Sequence, residues 1–460
     1  ENWQINTQAD GIGAPEVHAD AFEFLLPKNA SNISSYYIMT DGGIYKKEGT
    51  EFNSKNGTMD IAQIYRLGLS KNLNRLITGH QDNGSFLKNT NNVFVRTSGD
   101  DGMDCLISYH HDSVSISSSQ YGHFHFSKDT GDVSTNLQQG LPTSNGKWVS
   151  PIVQNPLNFH VLYCGGWPIP QRMNNFLAGN NWIPCSTNPL NGNENINAIE
   201  VAFSDTATIY ATTEESIHRT NNSGFDWDTI SGAGMPFAGS QISDLAVSKE
   251  NKDILFVCFS SFNGADKKVY GSINGGDSWL NITKTGLPNM PYNTIVTRLN
   301  DTINELYLGG DVGVYYTNDT MTNWIFFKTG LPNTSIMDLE ISEFDNKLYA
   351  ATYGRGVWKS DLYFEESANL NEEIELTNEI NLFPNPAKNI FTIQVKNEHL
   401  KIKEINLYSI NGEKLNFEKI KEKNSQEIEI KTKNLKNDTY FLKIELQNGK
   451  FITKELVILN

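Results

Sequence analysis

Cysteine is scarce. Only Cys105, Cys164, Cys185 and Cys258 occur in 460 residues, and no two form a CxxC pair. A zinc ribbon or a thioredoxin-type redox centre is therefore left without its ligands. Cys258, inside ILFVCF, reads as a buried strand residue. Cys164 and Cys185 bracket a loop rich in Trp, Pro and Asn, and are the pair able to form a disulfide if the chain is exported. Long apolar runs are missing too. No stretch approaches the roughly 20 residues that cross a bilayer, so no membrane span is expected. The chain does not open on a basic, then apolar, signal-peptide pattern, and Glu1 is expected to be a processed or truncated start.

Positive charge is also in short supply. Lys plus Arg number 37 against 53 acids, a net charge of −16. The deficit is uneven: from Asn378 onward 14 Lys face 11 acids, whereas the residues before it hold 23 Lys plus Arg against 42 acids. A body this acidic repels nucleic acid and anionic membrane, which excludes both as expected partners.

Glycine and aromatic residues, by contrast, are plentiful, with 36 Gly, 24 Phe, 18 Tyr and 8 Trp. Short aromatic strands joined by Gly and Asn turns give that balance. The tract LYLGGDVGVYYTNDTMTNWIFFKTGLP (306–332) recurs in outline at 209–236, at 269–288 and, without its Trp, at 124–142. Looser copies lie at 36–49, 75–90 and 347–361. From Thr220 to Ser272 is 52 residues and from Ser272 to Thr317 is 45. Periods of this size with several strands per unit predict propeller blades, about seven to eight of them over residues 1–361.

Within the repeat stands Ser/Thr-x-Asp/Asn-x-Gly-x-x-Trp. Ser272, Asn274, Gly276 and Trp279 fit it, as do Thr220, Asn222, Gly224 and Trp227. Thr317, Asp319 and Trp324 fit with Met321 in the Gly slot, and Ser127, Asp129 and Gly131 fit without the Trp. The pattern resembles the Asp-box, or BNR repeat, of sialidase-like and sortilin-like propellers. Asp or Asn is expected to accept turn amides and Trp to bury between blades. In that family the box lies on the outer rim, so these are expected to be structural residues.

Residues 361–380 hold seven acids and no Lys or Arg, which suits a solvated linker over 362–379. Beyond it, INLFPNPAKNIFTIQV, EINLYSI, QEIEIKT, TYFLKIEL and ITKELVIL alternate apolar and polar residues around Asn-Gly turns. That predicts a small Ig-like β-sandwich at 380–460. The sequence Leu382-Phe383-Pro384-Asn385-Pro386, the Asn411-Gly412 turn, Tyr440 and the Lys454 strand resemble the type A C-terminal sorting domain of the type IX secretion system in Bacteroidetes. The resemblance implies export across the outer membrane to the surface or medium. It also implies partners in the type IX translocon and its shuttle protein. One departure is Asn437-Asp438-Thr439, where the family places Gly before the Tyr.

The first third concentrates polar groups suited to a central ligand face. They are His18 and Asp20 in EVHADAF, Asp41 in TDGGIY, His80 and Asp82 in GHQDNG, and Asp100, Asp101 and Asp104 in SGDDGMD, followed by His110, His111 and Asp112. These stretches resemble those of secreted BNR-repeat proteins labelled glycosyl-hydrolase-like. Asp-Gly and Asn-Gly also form turns in their own right. No cofactor is expected. A bound calcium ion is compatible with carboxylates of this kind. Only seven Arg occur and no Phe-Arg-Ile-Pro-like start is present, which disfavours the arginine-clamped chemistry of a sialidase, and no Walker loop, GxSxG or HExxH occurs. The expected function is an exported, surface or secreted all-β propeller that binds glycan or protein. The alternative is a glycoside hydrolase using Asp41, Asp100 or Asp101.

Overall fold

The computed structural model describes residues 18–459 apart from 19, 27–34, 57–60, 130, 132–133, 233–234, 238–239, 299–302, 364–378, 398–399, 425–426, 433–434 and 448–450. Most of the acidic linker and the Asn448-Gly449 turn lie outside the described residues. The chain divides into two units, 1–363 and 364–460.

Seven antiparallel sheets of the first unit follow one another at 64–98, 102–136, 152–184, 198–229, 241–281, 292–326 and 336–361. The first six have four strands and the seventh has three. Each is a meander whose first strand lies innermost. These inner strands are Ile64–Leu69, Gly102–Ile107, Ile152–Gln154, Ala198–Val201, Gln241–Val247, Tyr292–Thr297 and Ile336–Ile341, each packed against the next. The last packs back against Ile64–Leu69, so the ring is closed. This is a propeller-like arrangement. No sheet buries both faces alone; instead, an apolar cluster fills each of the seven gaps between neighbours.

The ring is stitched at its centre by aspartates that the repeat pattern did not reveal. Asp104 accepts the amide of Cys105 at 2.8 Å and that of Ile152, on the next sheet, at 2.9 Å. Asp244 does the same for Leu245 and Ile295, at 2.9 and 3.0 Å. Asp338 takes Leu339 at 3.0 Å and, across the closure, Leu67 at 2.9 Å. Asp244 and Asp338 sit where the register shifts at a β-bulge, which frees these amides from the ladder.

A further four-stranded sheet, Ala21–Leu25, Ser35–Thr40, Gly43–Glu48 and Glu51–Ser54, precedes the ring and has its own small cluster around Tyr36 and Ile38.

The outer turns hold the Trp-bearing repeat. Ser272 Oγ donates to Asn274 Oδ1 at 2.9 Å and accepts the Gly276 amide at 2.9 Å, while Asn274 Oδ1 also accepts the Ser278 amide at 2.9 Å. Thr220 and Asn222 repeat this with Gly224 and Asp226. The turn at Thr317 differs from the expectation. There Asn318, not Asp319, accepts the local amide, and the Asp319 carboxylate takes Asn304 at 2.6 Å. With Met321 in the glycine slot, the turn shifts by one residue. The Trp279 and Trp324 indoles donate to Ile230 and Ile282 on the preceding sheets, at 2.8 and 3.1 Å. Trp182 does so to Leu137 at 2.6 Å, a copy that carries no box and escaped the pattern. Trp227 instead bonds its own Gly224, at 3.0 Å.

All four cysteines are free and buried. Cys164 belongs to the cluster between the second and third ring sheets and Cys185 to the one between the third and fourth. They lie on opposite faces of one sheet, which is why no disulfide joins them.

In the second unit two four-stranded antiparallel sheets enclose one core that includes Phe391, Leu407, Tyr440, Leu442 and Leu456. Asn385 substitutes for a strand along the edge of Phe451–Ile458. Its Nδ2 donates to Glu455 O and its Oδ1 accepts the Val457 amide, both at 2.8 Å. Flanking Pro384 and Pro386 lack N–H donors, so the amide side chain makes the pairing that backbone would otherwise make. The Tyr440 hydroxyl donates back to Lys436 O at 3.0 Å, Asn411-Gly412 turns the chain between strands, and burial lowers the Lys454 pKa.

Candidate functional site

In a meander the start of the first strand and the turn between the second and third strands share one end; the outer Trp-bearing turns lie at the other. That topology sorts the candidate residues. Asp82 stands in the turn after Leu76–His80, and Asp100 and Asp101 precede Gly102–Ile107, so all three reach the first end. His110, His111 and Asp112 lie at the opposite end, where Asp112 takes Ser70 and Asn72.

Three separate segments meet at the first end. The Asp82 amide donates to Asp101 Oδ1 at 2.7 Å, with Asp82 in the left-handed region at φ 59°. Such backbone is uncommon outside glycine and is held here by that bond. The Asp101 amide in turn donates to Gln120 Oε1 at 3.2 Å. From the segment that leads into the preceding sheet, the His18 ring reaches Asp82 O at 2.7 Å. Gly42 makes room for it, since a Cβ there would stand 2.3 Å from the imidazole. Asn56 fixes the Asp41-Gly42 turn by donating to Gly42 O at 2.7 Å and accepting the Ile44 amide at 2.8 Å. Burial raises the Asp82 pKa, helped by the charges of Asp101 and Asp41 and opposed by His18. Asp41, Asp82, Asp101 and His18 thus form one electrostatic group drawn from two sheets and a connecting loop.

Beside it runs a polar-aromatic line that sequence patterns did not single out. Gln81 Oε1 accepts the hydroxyls of Tyr65, at 2.8 Å, and of Tyr353. The Trp148 indole donates to the Tyr65 hydroxyl at 3.2 Å. The four residues come from the first, third and seventh ring sheets or the loops that enter them, and only the closed ring unites them.

The remaining candidates have other surroundings. The His80 imidazole bonds Thr78 at 2.7 Å, packs edge-on against Phe86, and has its pKa lowered to about 4 by burial. Asp104 is one of the ring-stitching carboxylates. Asp20 is exposed at φ 56°, and Asp100 also has positive φ. A cavity of 240 Å³ runs along the inner strands, lined by Arg66, Asp104, Glu200, Asp244, Asp338 and Glu340 among others. Burial pushes Glu200 and Glu340 up to about 7. Arg66 donates to Met337 O at 2.8 Å across the closure. Among the described residues no group of three or more His, Cys, Asp or Glu is arranged to hold a metal ion.

Residues 381–459 match the family described as secretion system C-terminal sorting domain. This segment marks the chain as type IX secretion cargo, exported across the outer membrane to the cell surface or the medium, and implies interaction with the type IX machinery. No helix among the described residues is long and apolar enough to cross a membrane. A search of the curated proteins found no match. Among solved structures, the chain is similar to the crystal structure of an ancestral GH74 enzyme, with a TM-score of 0.55 and 10% identity. The similarity covers 86% of this chain but 62% of that one, and at this identity it describes the fold alone.

Proposed function

We propose that the exported ring binds carbohydrate at the end where Asp41, Asp82, Asp101 and His18 meet. The observation that carries this reading is their convergence from separate segments, with Asp82 held at positive φ by Asp101. Carboxylates and a histidine at the mouth of a preformed ring suit sugar hydroxyls, and neighbouring tyrosines supply apolar faces. On this reading the seven sheets are propeller blades, the Trp-bearing turns are Asp-boxes on the outer rim, and the C-terminal unit is an Ig-like sandwich. That unit engages the outer-membrane translocon and its shuttle. Affinity electrophoresis of the purified protein in polysaccharide gels tests the reading. Retardation lost in Asp82→Asn and Asp101→Asn, with unchanged thermal melting, supports it; retardation that both variants keep sinks it.

A second reading, glycoside hydrolysis, is favoured by the raised pKa of Asp82 between two other carboxylates, the environment a general acid needs. Release of reducing ends that disappears in Asp41→Ala, Asp82→Asn or Asp101→Ala would establish turnover. Binding without release in the parent protein would leave the face a binding site.

A further inference from the structure

We propose that Tyr121 and Trp148 form a stacking corner for an uncharged pyranose of the bound glycan. The proposal rests on the carbohydrate reading above and names the part of the ligand that this corner takes. The two rings stand edge-to-face with centroids 5.3 Å apart, at 82°. They are 37% and 39% exposed, although each belongs to a tightly bonded segment. Tyr121 is held at φ 66°, ψ 19°, a conformation that bulky side chains avoid. Two backbone bonds keep it there: its amide donates to Trp148 O at 3.2 Å, and its carbonyl accepts the Gly146 amide at 3.1 Å. The Trp148 indole N–H is already engaged by Tyr65, which fixes the ring while more than a third of its surface stays in solvent.

The loop beneath is equally fixed. Lys147 N donates to Gly166 O at 2.8 Å, Ser150 Oγ to Lys147 O at 2.9 Å, and Trp167 Nε1 to Ser144 O at 2.9 Å. Backbone strain at Tyr121 holds an aromatic pair that keeps more than a third of its surface in solvent, which points to a ligand. A rigid right-angled pair of rings fits the flat C–H face of a pyranose and its edge. Charge narrows the class. Gln120, next to Tyr121, holds Asp101, and Asp101 holds Asp82, so the corner adjoins carboxylates. Lys147, next to Trp148, is held by Glu214 at 3.2 Å and by Asn197. An anionic sugar would therefore meet negative charge beside a cation that is already paired.

The test measures retardation in gels of uncharged polysaccharides (β-glucan, mannan and xylan) and of anionic ones (polygalacturonate and alginate). The parent protein is compared with Tyr121→Ala, Trp148→Ala and Trp148→Phe. Expected are binding to at least one uncharged polymer, about tenfold loss in each alanine variant, and retention within about threefold in Trp148→Phe. Melting should stay cooperative in every variant, with the larger drop in Trp148→Ala, which gives up the bond to Tyr65. Binding lost in Asp82→Asn but unchanged in both alanine variants overturns the corner and leaves the carbohydrate reading standing. Preference for the anionic polymers overturns the proposed ligand class. Retention by no polysaccharide overturns both proposals.

Discussion

Asp338 on the seventh ring sheet accepts the amide of Leu67 on the first, at 2.9 Å, and so spans the point where the ring must close. The chain separates these residues by 271 positions, and the seventh sheet has three strands among the described residues. Asp338→Ala would strip the acceptor from the amides of Leu67 and Leu339 together. Buried amides left unpaired cost about 1–3 kcal/mol each. The variant is expected to lose about 2 kcal/mol or more in guanidinium unfolding. Hydrogen exchange at Leu67 should quicken more than at residues of the fourth ring sheet. Equal quickening everywhere would show that Asp338 is not a closure-specific staple.

Gly286 has a specific steric duty. It lies at φ 97°, and a Cβ there would stand 2.1 Å from Trp324 O on the next sheet; at Gly140 the same atom would stand 2.3 Å from Trp182 O. Gly330, which precedes Leu-Pro as Gly140 and Gly286 do, has φ 84° and no described atom within 4 Å of a Cβ placed there. Gly330→Ala should therefore cost only the left-handed backbone penalty, about 1–2 kcal/mol. Gly286→Ala should cost a further ~1–3 kcal/mol for overpacking. Equal midpoints for the two variants in denaturant would remove the inter-sheet explanation of the motif.

The axial carboxylates set a pH dependence. Burial lifts Glu200 and Glu340 from an ordinary value near 4.5 to about 7, so the folded state binds more protons than the unfolded one in that window. Stability from these groups falls as pH rises through it, by up to about 1.4 kcal/mol per pH unit for each. His80 and His218, lowered to about 4 by burial, act in the opposite sense between pH 4 and 6.5. Melting curves from pH 5 to 8 should thus fall less steeply in Glu200→Gln/Glu340→Gln than in the parent. Identical slopes would mean that the axis is solvated like the surface.

Local repetition made the ring legible in sequence, and long-range closure hid most of its site. Ser272, Asn274 and Gly276 interact within five residues, so their pattern could be read directly from spacing. Asp104, Asp244 and Asp338 act through partners on the next sheet, and single aspartates inside apolar strands carry no spacing signal. The candidates Asp41, Asp82 and Asp101 were conspicuous because Asp-Gly and Gln-Asp-Asn-Gly turns stand out. Nothing local distinguished them from His80, which turns inward onto Phe86, or from Asp112 at the far end. Tyr121 and Trp148 were least visible. Their value lies in a positive φ and a cross-loop contact, and neither leaves a trace in composition. The sequence leaves a Cys164–Cys185 disulfide open for a related reason: residues close in sequence can face opposite sides of one sheet, and both thiols are free.

Asn385 bonds an edge of the C-terminal unit and so tests whether export depends on that fold. Its amide bonds both Glu455 O and the Val457 amide, and so extends the cover that the Ala387 backbone gives to the edge of the Phe451–Ile458 strand. Asn385→Ala removes two bonds at a partly exposed edge and should destabilise the unit by about 1–2 kcal/mol. Asn385→Asp keeps the acceptor for Val457 but puts a carboxylate oxygen against Glu455 O, so it should be no better tolerated. If the machinery recognises the closed sandwich, both variants should accumulate in the periplasm in proportion to their loss of stability. Removal of 381–459 should abolish surface display. Asn385→Ala with normal stability but blocked export would instead make the side chain itself a recognition element, and a destabilised variant that exports normally would show that the closed edge is dispensable.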